Sequence, residues 1–250
     1  MLVLLSPSKK IENTAPENLK PTSPKLAAEA EKILVTMQAM SQQDIKALMG
    51  LSDNLAALNY GRYQHFDDLE QSPALFTFKG DVYDKMDVES YSDEDLAFAQ
   101  AHIRILSGLY GVLRPLDAMR PYRLEMGTKL KTQSGKNLYD YWREKVTNLL
   151  KEEKAQWVVN LASQEYAKAV NLQEMVPNVL HVDFKHTKNG KTKTIGLMAK
   201  RARGLMADYI IKNRIKTPEK LEAFNLEGYR FEPDFSDDNT LTFTLNMDKN

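Results

Sequence analysis

Gly108 and Gly111 lie three positions apart in the stretch LSGLYGVLRPLDAMRPYR, residues 106–123. Arg114, the Arg120-Pro121 pair and Tyr122-Arg123 follow them. A plain turn needs one glycine. Two glycines lined by cations suit backbone N–H groups that must approach a phosphate, because no Cβ stands in the way and arginine forks match phosphate oxygens. The competing structural account is a helix that ends at Gly108 and enters the next element tightly.

Other residues could do related chemistry. SPSKK, residues 6–10, puts Ser6 and Lys9 just beyond an apolar run. FKGDVY, residues 78–83, flanks a glycine with Lys79 and Asp81 and adds Tyr83. Lysine supplies a point charge for phosphate, whereas aspartate can accept a proton or bind a ribose hydroxyl; a solvated surface turn is the plainer alternative. NLASQEY offers Asn160, Ser163, Glu165 and Tyr166 at a strand-to-helix junction, where Ser163 could instead be a simple N-cap. In AKRARG, Lys200 and Arg203 share one helix face. Cations in a first helical turn oppose the helix dipole, which favours an anionic partner for them.

Two function classes follow. The phosphate-binding set is Lys9, Lys79, Gly108, Gly111, Arg114, Arg120, Arg123, Lys200 and Arg203. Phosphate does not call for carboxylates, so Asp81 and Glu165 open the alternative of an enzyme that cleaves a nucleoside or nucleotide by acid–base chemistry. Its pocket would draw on Ser6, Tyr83, Tyr122, Asn160, Ser163 and Tyr166.

Composition bounds both classes. The chain has 250 residues, 42% hydrophobic and 27% charged, enough for one sizeable core, and no linker, repeat or low-complexity tract divides residues 1–250. Zero cysteines excludes disulfides and thiolate metal sites and fits the cytoplasm; with four histidines and no ligand spacing, neither a metal nor a cofactor is expected. MLVLL is too short for a signal peptide, and no run approaches the roughly 20 apolar residues of a membrane span. Lys and Arg balance Asp and Glu at 34 each. Yet residues 104–136 and 185–203 are rich in cations, while acids gather at 81–95 and 219–238. Segregation of this kind gives a neutral chain a basic face.

The elements that must position these groups alternate in type. Residues 1–5 read as a buried strand whose carboxyl-end loop, SPSKK, lies where α/β sheets bind ligands. Ser23-Pro24 opens a helix, Ser41 and Asp44 cap a second that ends at Gly50, and a third follows. PALFTFKGDVY reads as a strand into a loop, and SDEDLAFAQAHIRILSG as one capped helix up to Gly108. A helix at NLYDYWREKVTNLLKEE, the strand WVVNLAS and a helix from Ser163 come next. Asn189-Gly190 marks a β-hairpin, AKRARGLMADYIIKNR is helical, and LTFTLNM is a closing strand. The fold class is α/β, with α+β as the alternative, built on one mixed sheet with surrounding helices.

LLSPSKK, FKGDVY, LSGLYGVLRPLDAMRPYRLEMG, NLASQEY and AKRARGLMADYIIKNR, in that order, resemble the YaaA peroxide-stress family. The resemblance runs from residue 1 to about Tyr229; Ser8 stands where the family pattern Ser-Pro-Ala-Lys has alanine, and Lys9 is retained. It implies a cytoplasmic protein that protects against hydrogen peroxide by limiting unincorporated iron. It also implies binding of double-stranded or structured DNA through a basic cleft and a helix–hairpin–helix element, the latter falling at LSGLYGVL with two residues rather than one between the glycines. A nucleotide is the ligand in the alternative.

Overall fold

The computed structural model describes residues 1–132, 134–175 and 178–249. Strand β1 (Leu2–Leu5) is buried at every position, as a strand covered on both faces should be. The chain leaves it through Ser6–Lys9 into a two-residue strand, β2 (Lys10–Ile11). Residues 12–26, with prolines at 16, 21 and 24, hold no helix or extended strand. Helix α1 (Ala27–Gln38) starts three residues later than Ser23-Pro24 suggests, and the Ser23 carbonyl accepts from Arg114 at 3.0 Å. Helix α2 (Gln42–Met49) has the expected Ser41–Asp44 capping box and left-handed Gly50, and α3 (Asp53–Gln64) follows.

Strand β3 (Ser72–Pro73), a single turn of helix α4 (Ala74–Thr77) and strand β4 (Phe78–Lys79) replace the continuous strand expected at PALFTFK. Strand β4 pairs with β2, Lys79 opposite Lys10. Helix α5 (Asp93–His102) is capped by Ser92 and Asp95 but stops at His102, not at Gly108. Residues Ile103–Ser107 form β5, buried throughout, with Val3 opposite Ile103 and Leu5 opposite Ile105. Pairing with β1 overrides the helical period here, and β-branched Ile103 and Ile105 favour the extended form. Strand β6 (Gly111–Leu113) turns back antiparallel on β5. LSGLYGVL is therefore strand, turn and strand, which corrects the helix–hairpin–helix expected there.

Strand β7 (Ala118–Met119) pairs with β3. Helix α6 (Leu138–Glu152), strand β8 (Trp157–Asn160) and the four-residue α7 (Gln164–Ala167) follow. Strands β9 (Asn178–Lys188) and β10 (Lys191–Lys193) form the predicted hairpin, with Asn189 and Gly190 at φ 50° and 69°. Helix α8 (Gly196–Lys212) begins four residues before Lys200, so its cations sit in the second turn and the argument from dipole conflict does not hold. Strands β11 (Arg230–Phe231) and β12 (Thr240–Asn246) complete a mixed α/β architecture.

The main sheet has the order β11-β12-β9-β8-β1-β5-β6, with β10 beside β9. Its five inner strands, β12, β9, β8, β1 and β5, run parallel; β6 and β11 are antiparallel edges. Chain order and spatial order part at β1. From β1 the chain moves to β5 on one side, whereas β8 lies on the other side and leads away to β9. Loops leaving the carboxyl ends of β1 and β8 therefore diverge, and a crevice opens between them. One cluster of buried apolar side chains extends from Leu2 to Leu245 beneath it. No described helix is long and apolar enough to cross a membrane.

Candidate functional site

A cavity of about 360 Å³ lies at that crevice. Ser6 to Lys10 line it from the end of β1, and Leu161, Ser163, Glu165 and Tyr166 from the end of β8. Gly80, Asp81 and Val82 after β4, Glu125, and Lys200 with Arg203 on α8 close the remaining sides. Five segments remote in sequence thus converge at the topological switch point.

Local packing fixes the walls. Ser163 heads α7 but makes no side-chain cap; its N–H donates to Ser6 Oγ at 2.9 Å, and Ser6 Oγ lies 3.3 Å from Ser163 Oγ. The N-cap alternative for Ser163 gives way to a hydroxyl pair that ties the two loops together. Buried Tyr83 donates to the Ser6 carbonyl at 2.9 Å and props the loop from below. Burial raises the pKa of Tyr83 and of Tyr166, so both stay protonated as hydrogen-bond donors. Helix α8 is pressed against the opposite wall: a Cβ on Gly204 would lie 1.9 Å from the Val82 carbonyl oxygen, so only glycine lets Lys200 and Arg203 reach the cavity.

Charge is arranged in opposed sets. Lys9, Lys10, Lys200 and Arg203 face Asp81, Glu125 and Glu165. Glu125 holds Lys9 at 2.8 Å and Arg123 at 3.2 Å. Asp81 lies 3.7 Å from Arg201, and Glu165 accepts the Gly127 N–H at 2.9 Å. Burial lowers the pKa of Arg203, an effect partly offset by Asp183, and its buried Nε has no partner among the described residues. A half-buried guanidinium of this kind is poised for an anion. The Nε of Arg123 is also buried and unpartnered among the described residues, but its guanidinium already holds Glu125 at 3.2 Å. The described residues bring no three His, Cys, Asp or Glu side chains together as a metal set.

Of the residues expected to act, the structure brings Ser6, Lys9, Asp81, Ser163, Glu165, Tyr166, Lys200 and Arg203 to this cavity. It takes others elsewhere. A Cβ on Gly108 would meet the Leu124 carbonyl oxygen at 2.1 Å, and one on Gly111 would meet the Trp142 ring at 2.6 Å. These glycines accommodate the protein's own chain instead of a ligand's phosphate. Arg114 is locked on buried Asp117 at 2.7 Å, and Arg120 donates to the Leu69 carbonyl at 3.0 Å while covering the Phe66 ring. Lys79 is in the β2–β4 ladder, Tyr122 is buried on Ser107, and Asn160 faces a neighbouring groove with His181 at 3.1 Å. Sequence reasoning missed Glu125, although it is one of only two acids in the basic segment 104–136, and Lys10, which sits beside Lys9.

Fold and site together define a class: a parallel-centred α/β protein with a mixed-charge cleft at its switch point. Within that class, the profile of the family described as peroxide stress protein YaaA matches residues 1–235. UPF0246 proteins are also similar. The one from Acaryochloris marina (strain MBIC 11017) is 47% identical over 252 residues, covering 98% of this chain and 100% of the relative. One from Polynucleobacter asymbioticus is 47% identical over 240 residues, covering 92% and 93% of the two chains, and one from Legionella pneumophila (strain Lens) is 45% identical over 253 residues, covering 97% and 98%. The chain belongs to the peroxide stress protein YaaA family, which supports a role in peroxide stress.

Proposed function

We propose that the chain serves the peroxide-stress response by binding nucleic acid, duplex or structured DNA foremost, through phosphate contacts in this cleft. One observation carries the reading: Lys9, Lys10, Lys200 and Arg203, from two separate segments, line one cavity beside the Ser6 and Ser163 hydroxyls. Cations and hydroxyls are the groups that hold phosphodiester oxygens, and such contacts carry no sequence information. Little sequence specificity follows. Limiting unincorporated iron belongs to the same proposal as the family's physiological role, and no iron-holding part is assigned to the cleft.

The test is a titration of fluorescent duplex DNA at several salt concentrations. Log affinity is expected to fall linearly with log salt, at about −0.9 per phosphate contact, and Lys200→Ala should make the slope about one unit shallower. Absence of binding at low salt, or binding indifferent to salt, overturns the reading.

The carboxylates favour a second reading. Asp81, Glu125 and Glu165 repel phosphate yet share the cavity, an arrangement suited to acid–base cleavage of a nucleotide. On that reading Asp81→Asn and Glu165→Gln keep ligand binding and lose about 10²-fold or more in turnover. Chromatography of nucleotides and short DNA after incubation reports released base or cleaved strand. Turnover that survives both substitutions removes the acid–base role.

A further inference from the structure

Arg203 belongs to two depressions at once. One is the cleft; the other is an open groove of about 1050 Å³ bordered by α6, α7 and residues His181 to Asp183 of β9. Consecutive residues of α7 divide between them, since Glu165 lines the cleft and Gln164 the groove. Arg203 is the one residue among the described linings that borders both, and its buried Nε has no partner among the described residues.

The groove differs from the cleft in chemistry. Arg143, Lys168 and Arg203 face Asp183 as the one acid among its described lining residues, so its balance is cationic. Arg143 is steadied at the rim by donating its Nε to the Lys168 carbonyl at 3.3 Å. Gln164 and Gln173 add side-chain amides, and His181 adds a ring. Amides carry a donor and an acceptor side by side, the pattern that pairs with base edges, and a ring offers a face to stack on. The cleft alone accommodates about one nucleotide; the groove is the larger of the two.

We propose that the groove is a second subsite, which takes the unpaired nucleotides that adjoin the one seated in the cleft. Arg203 holds the phosphodiester between the two subsites, Arg143 and Lys168 hold the next phosphate, and Gln164 and Gln173 meet base edges. Duplex DNA is then held by its phosphates at the cleft alone, whereas a single strand or an unpaired stretch of structured DNA, and not a free mononucleotide, engages both subsites. This rests on the nucleic-acid reading of the cleft.

The experiment compares a deoxynucleoside monophosphate with a single-stranded hexanucleotide at fixed salt. The proteins are the wild type, Arg143→Glu/Lys168→Glu and the milder Arg143→Gln/Lys168→Gln. In the wild type the hexanucleotide is expected to bind about tenfold or more tightly than the monophosphate, since one added phosphate or base contact is enough for that. Both double variants should lose most of this increment while monophosphate affinity and thermal midpoint stay unchanged. A hexanucleotide with no advantage, or one whose advantage survives the charge reversal, overturns the groove and leaves the cleft standing. If neither ligand binds the wild type, the cleft reading falls and takes the groove with it.

Discussion

Arg104, Arg114 and Arg120 all end on oxygen atoms within the fold. Arg104 meets Glu153 at 2.8 Å together with three backbone carbonyls, Arg114 meets Asp117, and Arg120 meets the carbonyls of Leu69 and Asp67. Lys200 and Arg203 on α8 carry the same charge and end in the cleft. The difference lies in what each segment's neighbours supply. Arg114 has an acid three residues on in its own turn, buried to 1% exposure, whereas residues 196–207 of α8 contain no acid. A run of cations in a sequence can thus serve a ligand only where the fold leaves it without a bonded counter-charge. Glu125 shows the intermediate case, since it stands in the cleft but already holds Lys9.

Substitutions at the glycines of the first region test the contrast most severely. Gly111 has φ 70°, and an added Cβ would press on Trp142. Left-handed strain and overpacking together are expected to cost about 2 to 5 kcal/mol in Gly111→Ala, read by denaturant unfolding. The protein that remains folded should bind DNA as the wild type does. A stable Gly111→Ala with weakened DNA binding would return this turn to the ligand site.

The arginines come next. Arg114→Ala strips a buried Asp117 of its ion pair, although Thr22 and the Arg114 N–H remain bonded to it, and should cost about 3 kcal/mol. Lys200→Ala is expected to stay within about 0.5 kcal/mol of wild type in stability, because surface changes away from special features cost little. Its loss should appear in DNA affinity alone. If the two variants exchange signatures, structural and ligand-facing cations have been assigned the wrong way round.

This contrast also marks what the sequence made legible. Local signals sufficed for β1, for the capping boxes of α2 and α5, and for the Asn189-Gly190 hairpin, because each is decided within a few residues. Ile103–Ser107 looked helical since the decision is made by β1, about a hundred positions away, which no local period records. Cleft residues were legible where a strand end or a helix face predicted their direction, as with Ser6, Ser163, Lys200 and Arg203. Gly108, Gly111 and Arg114 misled because Leu124, Trp142 and Asp117 answer them from inside the fold. Lys79 ends β4 two residues before Asp81 and Tyr83 follows two after it, but strand pairing and burial occupy them and neither lines the cleft.

Titration separates scaffold from site in a different way. His186 and His102 are held below the ordinary histidine pKa, chiefly by burial, while no histidine lies among the described residues that line the cleft. The unfolded chain therefore takes up protons at these positions before the folded one does. The stability they contribute is present above about pH 6.5 and is lost as pH falls below it. Thermal midpoints should decline from pH 7.5 towards 5.5, and DNA affinity measured well below those midpoints should change little. A midpoint that rises on acidification would show that these rings are charged in the folded state.

The smallest expected effect is the one that bears most directly on how the cleft works. Glu125 is largely shielded from solvent, and its carboxylate occupies the cation that an incoming phosphate would use. In Glu125→Gln the hydrogen-bonding shape is nearly kept, but Lys9 and Arg123 lose their competing anion. DNA affinity should rise by up to about 1 kcal/mol, the scale of a partly solvated ion pair, and the salt slope should steepen because a further phosphate contact becomes available. Lys9→Ala in the same background should remove most of that gain, since the more exposed of the two released cations is then missing. A gain that persists undiminished without Lys9 would trace the effect to Arg123 or to general repulsion by Glu125. An affinity that falls in Glu125→Gln would instead make the carboxylate a ligand-binding group in its own right, and would move the cleft towards the nucleotide-processing reading.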